Sequence, residues 1–592
     1  MGRSETHIRA ALLAAANDLA AARPDDPEGA WLDAARRLAL EQLLAGGEFT
    51  PADAGRLYEA LLASDVRPGA AGLVVQRARD QRAKGIYYTP PALVEYLLAR
   101  TLLPALADAG IPRICDPACG SGAFLAAAAT RLRAAGLNAE EAAACLCGCD
   151  TDAGALALCQ GALVEAGADG TRLLAADGLL ADLPGPFDLV VGNPPYIASG
   201  LRGAHRADAG RATQLRQRFP ESAAYKLNTY PLFVQHGIEM LRPGGRLAFV
   251  LPDSLLLGKY FARIRRFILD TCCIEEMTLI RGEIWPHGRV GQTLLLILRR
   301  EPDSHRRSVQ AVQVRLLASL DELPDGGLRH AIVQATFAAD SLSRFRLVFS
   351  AAAARFVASV EGLGGARPLG DVLRSYSGLI AHAGQRSLLR STYADGMVRV
   401  EKGGRVLFHG TPQREAWRPV LRSGAEVDRF WLNWRGEHAL LEPALLKSGG
   451  KLHLYEGPKL LLRQTADRLV CAYDASGLFC LNNVHLLTPR AEGVEPFLLY
   501  FAALLNSGVL NRYWRLLALE EGRLYPQIDL DMLDMVPVPP PEANPEVTSD
   551  LIGIAEALHA LPPGAENRPG LMARADALVA ELYELTSADG EL

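Results

Sequence analysis

The sequence predicts an α/β protein built on a doubly wound, mostly parallel sheet, with a helical region before it and a mixed α/β segment after it. Three observations carry that expectation. From Arg113 to Arg300, short apolar runs ("RICDPAC", "CLCGCD", "FDLVVGN", "RLAFVLP", "TLLLILR") alternate with Ala- and Leu-rich stretches of helical spacing. Such alternation marks parallel strands joined by covering helices. A chain of 592 residues exceeds one hydrophobic core, so about two to four domains are expected. Hydrophobic residues at 49% and charged residues at 22% are ordinary for a globular chain.

Taken in order, residues 1–80 are Ala-, Leu- and Arg-rich and are expected to be helical. "FTPADAGRLYEALLAS" offers Thr50 as an N-cap and Pro51 at the first helical position. The parallel-sheet domain is placed at 81–305, followed by a connector at 306–340. From 341 to 540 the texture becomes short strands and polar turns ("GPKLLLRQTADRLVCAYDASGLFCLNNVHLLTP"), then a helical run, "EPFLLYFAALLNSGVLNRYWRLLAL". "PVPPP" at Pro537 to Pro541 is a stiff spacer, and 541–592 is expected to be a tail of two short helices. No apolar run approaches the ~18 residues of a membrane span, and the start lacks the order of a secretory signal. Ten cysteines, two of them adjacent (Cys272, Cys273), point to a reduced, cytoplasmic protein. The net charge of −5 gives no global argument for a nucleic-acid partner. Between Arg344 and Arg523, however, 24 Lys and Arg stand against 16 Asp and Glu, a local basic excess.

Four features fall at strand ends in the parallel-sheet region. In "DPACGSGAFL" a strand ending at Asp116 leads through Pro117, Ala118, Gly120 and Gly122 into an Ala-rich helix. Glycines there let a ligand approach the backbone beside a helix N-terminus. In "CGCDTD", Asp150 closes the next strand, where a carboxylate suits the two hydroxyls of a ribose, and Asp152 is the expected cap of the following helix. Cys145, Cys147 and Cys149 lie two apart and are expected to share one packed strand face. In "AADGLL", Asp177 can accept from the exocyclic amine of an adenine. The fourth is "NPPY". Asn193 offers a side-chain carbonyl and Pro194 a backbone carbonyl, two acceptors for an amino group with two N–H donors. Pro195 stiffens the cradle and Tyr196 adds a flat face for a planar base.

With these motifs in chain order, residues 84 to 540 resemble the gamma-class adenine-N6 DNA methyltransferases of restriction–modification and phage-defence systems. "KGIYYTPPALVEYLL" is similar to the family's first motif, with Thr89 and Pro90 at its matching positions. "RGEIWPHGRVGQTLLLIL" is similar to the segment that brings a second aromatic ring to the target base. There Trp285 stands where the family usually has Phe. The resemblance implies a class I methyltransferase fold with a seven-stranded sheet and a C-terminal target recognition domain. It implies S-adenosylmethionine bound by Thr89, Pro90, Asp116, Pro117, Ala118, Gly120, Gly122, Asp150, Asp177 and Asn193. It also implies no metal, catalysis by the Asn193–Tyr196 loop, and a flipped adenine stacked between Tyr196 and Trp285. The implied partner is double-stranded DNA, with other subunits of a defence system left open.

An adenine in RNA and a cytosine N4 amine offer the same donor pattern, so RNA adenine-N6 and DNA cytosine-N4 methylation stay as alternatives. Only about 80 residues precede Lys84, and "PDDPE" lacks a following strand and Lys, so no fused nuclease is expected.

Overall fold

A computed structural model describes residues 10–14, 32–45, 57–58, 60–61, 64–69, 72–77, 89–199, 208–223, 227–282, 284, 292–323, 325–380, 398–401, 405–409, 417–441, 446–519 and 526–585. The chain divides into two compact units, Met1–Phe349 and Ser350–Leu592.

In the first unit, helix α1 (Leu32–Ala45) buries Ala35, Ala39, Leu40 and Leu43, an i, i+4, i+5, i+8 stripe. Thr50 and Pro51 lie outside the described residues. A departure from the helical expectation follows. Ser64–Gly69 and Gly72–Arg77 pair as an antiparallel hairpin. Gly69 and Gly72 flank the reversal and Val74 and Val75 favour extended backbone, a pairing signal that outweighs the Ala-rich composition around it.

Among the described residues the sheet has nine strands rather than seven: β1 (Ile114–Asp116), β2 (Leu146–Asp150), β3 (Arg172–Ala175), β4 (Phe187–Gly192), β5 (Leu241–Pro252), β6 (Cys272–Ile280), β7 (Thr293–Arg300), β8 (Ala311–Leu317) and β9 (Leu328–Val333). Their spatial order is β9-β8-β6-β7-β5-β4-β1-β2-β3. Strands β3, β2, β1, β4 and β5 run parallel, while β7 is antiparallel to both β5 and β6. The two extra strands come from residues 306–340, read from sequence as a connector. "AVQVRLL" runs parallel along β6, and β9 pairs antiparallel beside it. The alternating pattern of β8 buries Val312 and Val314 while Ala311 and Gln313 stay exposed, which is half-buried strand chemistry.

Helices α2 (Pro91–Ala109), α3 (Ala123–Ala134), α4 (Ala139–Cys145) and α5 (Ala153–Glu165) share one core with Leu189, Val191, Ala248 and Val250. The alternate residues Val190, Leu247 and Phe249 turn to the other face, against Gly237 of α7 (Thr229–Met240). A strand covered on both faces is largely apolar, and all six residues of β4 are buried; its one charged residue, Asp188, pairs with Arg242. Each fully buried Leu or Val there contributes about 1.5–3 kcal/mol. Local caps agree with the sequence. Asp152 accepts from Gly154 N at 2.8 Å and starts α5, and Asn138 with Glu141 forms a capping box at α4. Helices α6 (Asp208–Arg218) and α8 (Ala262–Thr271) also belong to this unit. Among the described residues, no helix is long and apolar enough to cross a membrane.

In the second unit, β10 (Leu373–Ser377), β11 (Val398–Glu401), β12 (Arg405–His409), β13 (Trp417–Leu421), β14 (Glu437–Leu440), β15 (Lys459–Arg463), β16 (Cys471–Asp474), β17 (Phe479–Cys480) and β18 (Val484–Pro489) form two sheets. Their orders are β10-β18-β15-β16 and β11-β12-β14-β13-β17. Lys459 and Asp474 are both buried and pair at 2.5 Å. Asp474 also accepts from Ser476 N and Leu478 N, so neither charge is left uncompensated. Helix α10 (Leu498–Asn506) is buried almost throughout. Its Asn506 side chain accepts from Cys471 N and donates to Cys471 O, tying the helix to β16. With α9 (Ala351–Glu361) and α11 (Gly508–Ala518) it forms the helical layer, and α12 (Pro545–Ala560) and α13 (Arg568–Leu582) close the chain. At 16 and 15 residues these last two are full-length helices rather than the short ones expected. Within the basic stretch Arg374, Arg418, Arg435 and Arg468 are exposed.

Candidate active site

Asp116, Asp150 and Gly192 are the last residues of β1, β2 and β4, and Asp177 follows β3 by two. Because these strands run parallel, four positions scattered over the sequence meet along one edge of the sheet, its carboxyl edge. The strand order reverses between β1 and β4, the place where open α/β sheets leave a crevice.

On the β1 side, the chain after Asp116 folds back onto β2. Cys119 N donates to Cys149 O at 3.0 Å and Gly120 N donates to Asp150 Oδ2 at 2.9 Å. Asp150 Oδ1 accepts from Asp152 N at 2.9 Å. Each carboxylate oxygen has a further lone pair, so Asp150 can still accept from two hydroxyls. Gly122 caps α3 with φ +88°, and a Cβ there would stand 2.6 Å from Cys159 Sγ. Both the backbone and the space demand glycine. Cys147 and Cys149 are buried on β2, whereas Cys145, also buried, is the last residue of α4 and not part of the strand face expected from the spacing.

Asp116 is buried, accepts from Ala118 N at 3.0 Å, and lies beside Gly192, where an added Cβ would meet its Oδ1 at 2.8 Å. Burial pushes its carboxyl up to about 8, and the nearby charge of Asp150 adds to the rise. The folded chain therefore holds a proton that the unfolded chain, near 3.8, releases. The stability that this protonation contributes is complete below about pH 4 and is lost as pH climbs to about 8. Asp116→Asn keeps the acceptor and carries no charge. We expect its melting temperature, relative to the parent, to be higher at pH 8 than at pH 5. Parallel melting curves at both pH values that keep a constant difference would contradict the assignment.

On the β4 side, Asn193 Nδ2 donates to Thr89 Oγ1 at 3.1 Å, which orients the amide. Tyr196 OH lies 2.6 Å from Asn193 Oδ1 and 3.0 Å from Val250 O of β5. Thr89 is buried, and Pro90 stands as the residue before α2. The Tyr196 ring meets that of Tyr230 edge-on, with centroids 6.1 Å apart and planes at 88°. Asp177 accepts from Leu179 N at 3.1 Å and pairs with Arg211 of α6 at 2.7 Å. Trp285 and residues 81–88 lie outside the described residues.

Sequence reasoning missed several partners. Thr229 and Tyr230 begin α7, and Val250 contributes only a carbonyl, so no side-chain signal marks it. Gly178 was legible in principle. It follows Asp177 directly, and a Cβ there would stand 1.8 Å from Pro117 O. A surface cavity of about 1100 Å³ lies elsewhere, lined by Leu183, Pro186, Met240, Arg242 and Arg300 at the amino ends of β4 and β5, so it is not this site.

Comparison with known proteins adds to this geometry. Residues 72–322 match the family model described as N-6 DNA methylase, and 418–538 match the TaqI-like C-terminal specificity domain. These two matches identify a methylase domain and a specificity domain within the chain. The chain is 29% identical to the type II methyltransferase M.TthHB8I of Thermus thermophilus over 215 residues, 36% of this chain and 45% of that one. It is 36% identical to the type II methyltransferase M.XhoI of Xanthomonas vasicola over 109 residues, 18% of this chain and 19% of that one. The match thus spans less than half the length of these curated relatives. Among solved structures, the type IIL restriction-modification enzyme MmeI in complex with DNA aligns with a TM-score of 0.57 at 14% identity. The alignment covers 91% of this chain and 79% of that one, a likeness of fold.

Proposed function

We propose that this chain is a site-specific modification enzyme that methylates the N6 amine of an adenine flipped out of duplex DNA. The observation that carries the proposal is the Asn193 amide, oriented by Thr89 at the crevice between β1 and β4 and followed by the Pro194 carbonyl and the Tyr196 ring. On this reading 81–305 is the catalytic domain, 341–540 the target recognition domain, and the enzyme works in the cytoplasm.

The residues at the carboxyl edge fit S-adenosylmethionine. Nothing stands within 4 Å of a Cβ added to Gly120, which leaves room beside the backbone. Asp150 has acceptor capacity for a ribose, and Thr89, Pro90, Pro117, Ala118 and Asp177 complete the cradle. When bound, that cofactor supplies an electrophilic methyl group. Asn193 Oδ1 and the Pro194 carbonyl accept the two N–H bonds of the adenine amine, which raises electron density on its nitrogen and fixes the lone-pair direction. For the amine to enter, Tyr196 OH leaves Asn193 Oδ1 and keeps Val250 O. The Tyr196 ring, with Trp285 as the second face, offsets part of the unstacking cost at about 1–3 kcal/mol per aromatic contact. The exposed arginines of the recognition domain neutralise phosphates.

The test is modified-base detection by long-read sequencing of genomic DNA from cells expressing the chain. One short motif carrying methyladenine is the expected result. Genomic DNA without a mark, alongside methyladenine in RNA of the same cells, would replace DNA by RNA as the substrate.

A further inference from the structure

Two prolines stiffen the Asn193–Tyr196 loop, yet proline fixes only φ and leaves the direction of its own carbonyl to the surroundings. Here that direction is set from α7. Thr229, the first residue of that helix, is buried, and its hydroxyl donates to Pro195 O and accepts from Ile197 N at 2.9 Å. Its backbone N–H donates to Ile197 O at 3.0 Å. The two hydroxyl bonds hold one peptide unit on each side of Tyr196. Just beyond, Ala198–Ser199 pairs antiparallel with Leu227–Asn228. Tyr230, the next residue of α7, meets the Tyr196 ring edge-on and is itself tied to Ser254 Oγ at 2.9 Å.

We propose that Thr229 is a positioning residue for methyl transfer. Its hydroxyl locks both peptide units of Tyr196 and thereby fixes where the stacking ring and the adjacent Pro194 carbonyl stand. This rests on the proposed methylation reaction. Thr229 touches neither substrate nor cofactor. Its contribution is to hold the loop in one geometry before the base arrives, so that ordering it costs nothing during the reaction. Valine has the shape of threonine without the hydroxyl, and serine keeps the hydroxyl without the methyl, which separates hydrogen bonding from packing.

The full-length chain and its Thr229→Val and Thr229→Ser variants are compared by two measurements. The first is hydrogen exchange of the Ile197 amide without cofactor. The second is the single-turnover methylation rate on duplex DNA, with the dissociation constant of S-adenosylhomocysteine measured alongside. For Thr229→Val we expect exchange at Ile197 to rise about tenfold and the rate to fall about 10²-fold. Cofactor affinity should stay within about twofold, because the loop and not the cofactor cradle is released. Thr229→Ser should restore both exchange and rate. Unchanged exchange in Thr229→Val, an unchanged rate, or a serine variant as damaged as the valine variant would each overturn the proposal. If the parent chain itself transfers no methyl group to DNA, the proposed reaction fails. The exchange measurement then still decides whether Thr229 locks the loop.

Discussion

Asn193→Ala is expected to slow methyl transfer by about 10²–10³-fold, the loss typical of removing one preorganised polar contact to a reacting centre. Cofactor binding is expected to persist in the main, because Asn193 reaches the cradle only through Thr89 while Gly120 and Asp150 keep their own bond. The amide does two things that alanine cannot. On the proposed reading its Oδ1 is one of two acceptors for the adenine amine, while its Nδ2 donates to Thr89 Oγ1 at 3.1 Å and so helps to orient the amide. The fold itself should survive. Tyr196 OH retains Val250 O at 3.0 Å, and Thr229 still holds the peptide units around Tyr196. The check is single-turnover transfer of a labelled methyl group to duplex DNA, with calorimetric titration of S-adenosylmethionine on the same preparation. Turnover near the parent rate would remove Asn193 from the chemistry. Lost cofactor binding would make it a structural residue.

Gly178→Ala is expected to weaken cofactor binding by at least about tenfold and to destabilise the first unit by about 1–3 kcal/mol, the usual cost of overpacking. The added Cβ would stand 1.8 Å from Pro117 O, so backbone must move on one side or the other. Phe233 lies close on the remaining side, with a ring carbon 3.5 Å away, so retreat in that direction is limited. Pro117 follows Asp116 and opens the loop in which Gly120 N bonds Asp150. A shift there disturbs the cradle for the cofactor rather than the Asn193 loop. Titration calorimetry with S-adenosylhomocysteine and a thermal melt test this directly. Parent-like affinity would mean that the loop absorbs the methyl group without moving, and the close approach would then carry no functional weight.

Much of the site was readable in advance because each motif announces itself through local chemistry. A strand that ends in Asp before a Gly-rich turn, an Asp immediately before a helix, and Asn-Pro-Pro-Tyr after a largely apolar strand each constrain their own neighbourhood. The caps show the same thing: Asp152 takes Gly154 N and Ala155 N, as its place before "AGALAL" implies. The sequence reading failed where a competing signal lay at longer range. The hairpin of residues 64–77 was masked by Ala-rich surroundings, and 306–340 was passed over because its strands become strands only by pairing with β6 and with each other.

The sequence by itself determined the order of the motifs, the α/β alternation and the identity of the candidate site residues. These depend on residue type and on spacing of a few positions, which a chain carries wherever it goes. Only the tertiary structure decided which residues hold those groups in place. Thr229 reaches Pro195 across 34 residues, Thr89 reaches Asn193 across 104, and Val250 offers Tyr196 a carbonyl that any residue could supply. Such partners are chosen by strand order, because β5 lies beside β4 and α7 packs across both. A hydrogen bond between distant residues leaves no periodicity in the sequence to read. It exists only once the sheet has brought its ends together.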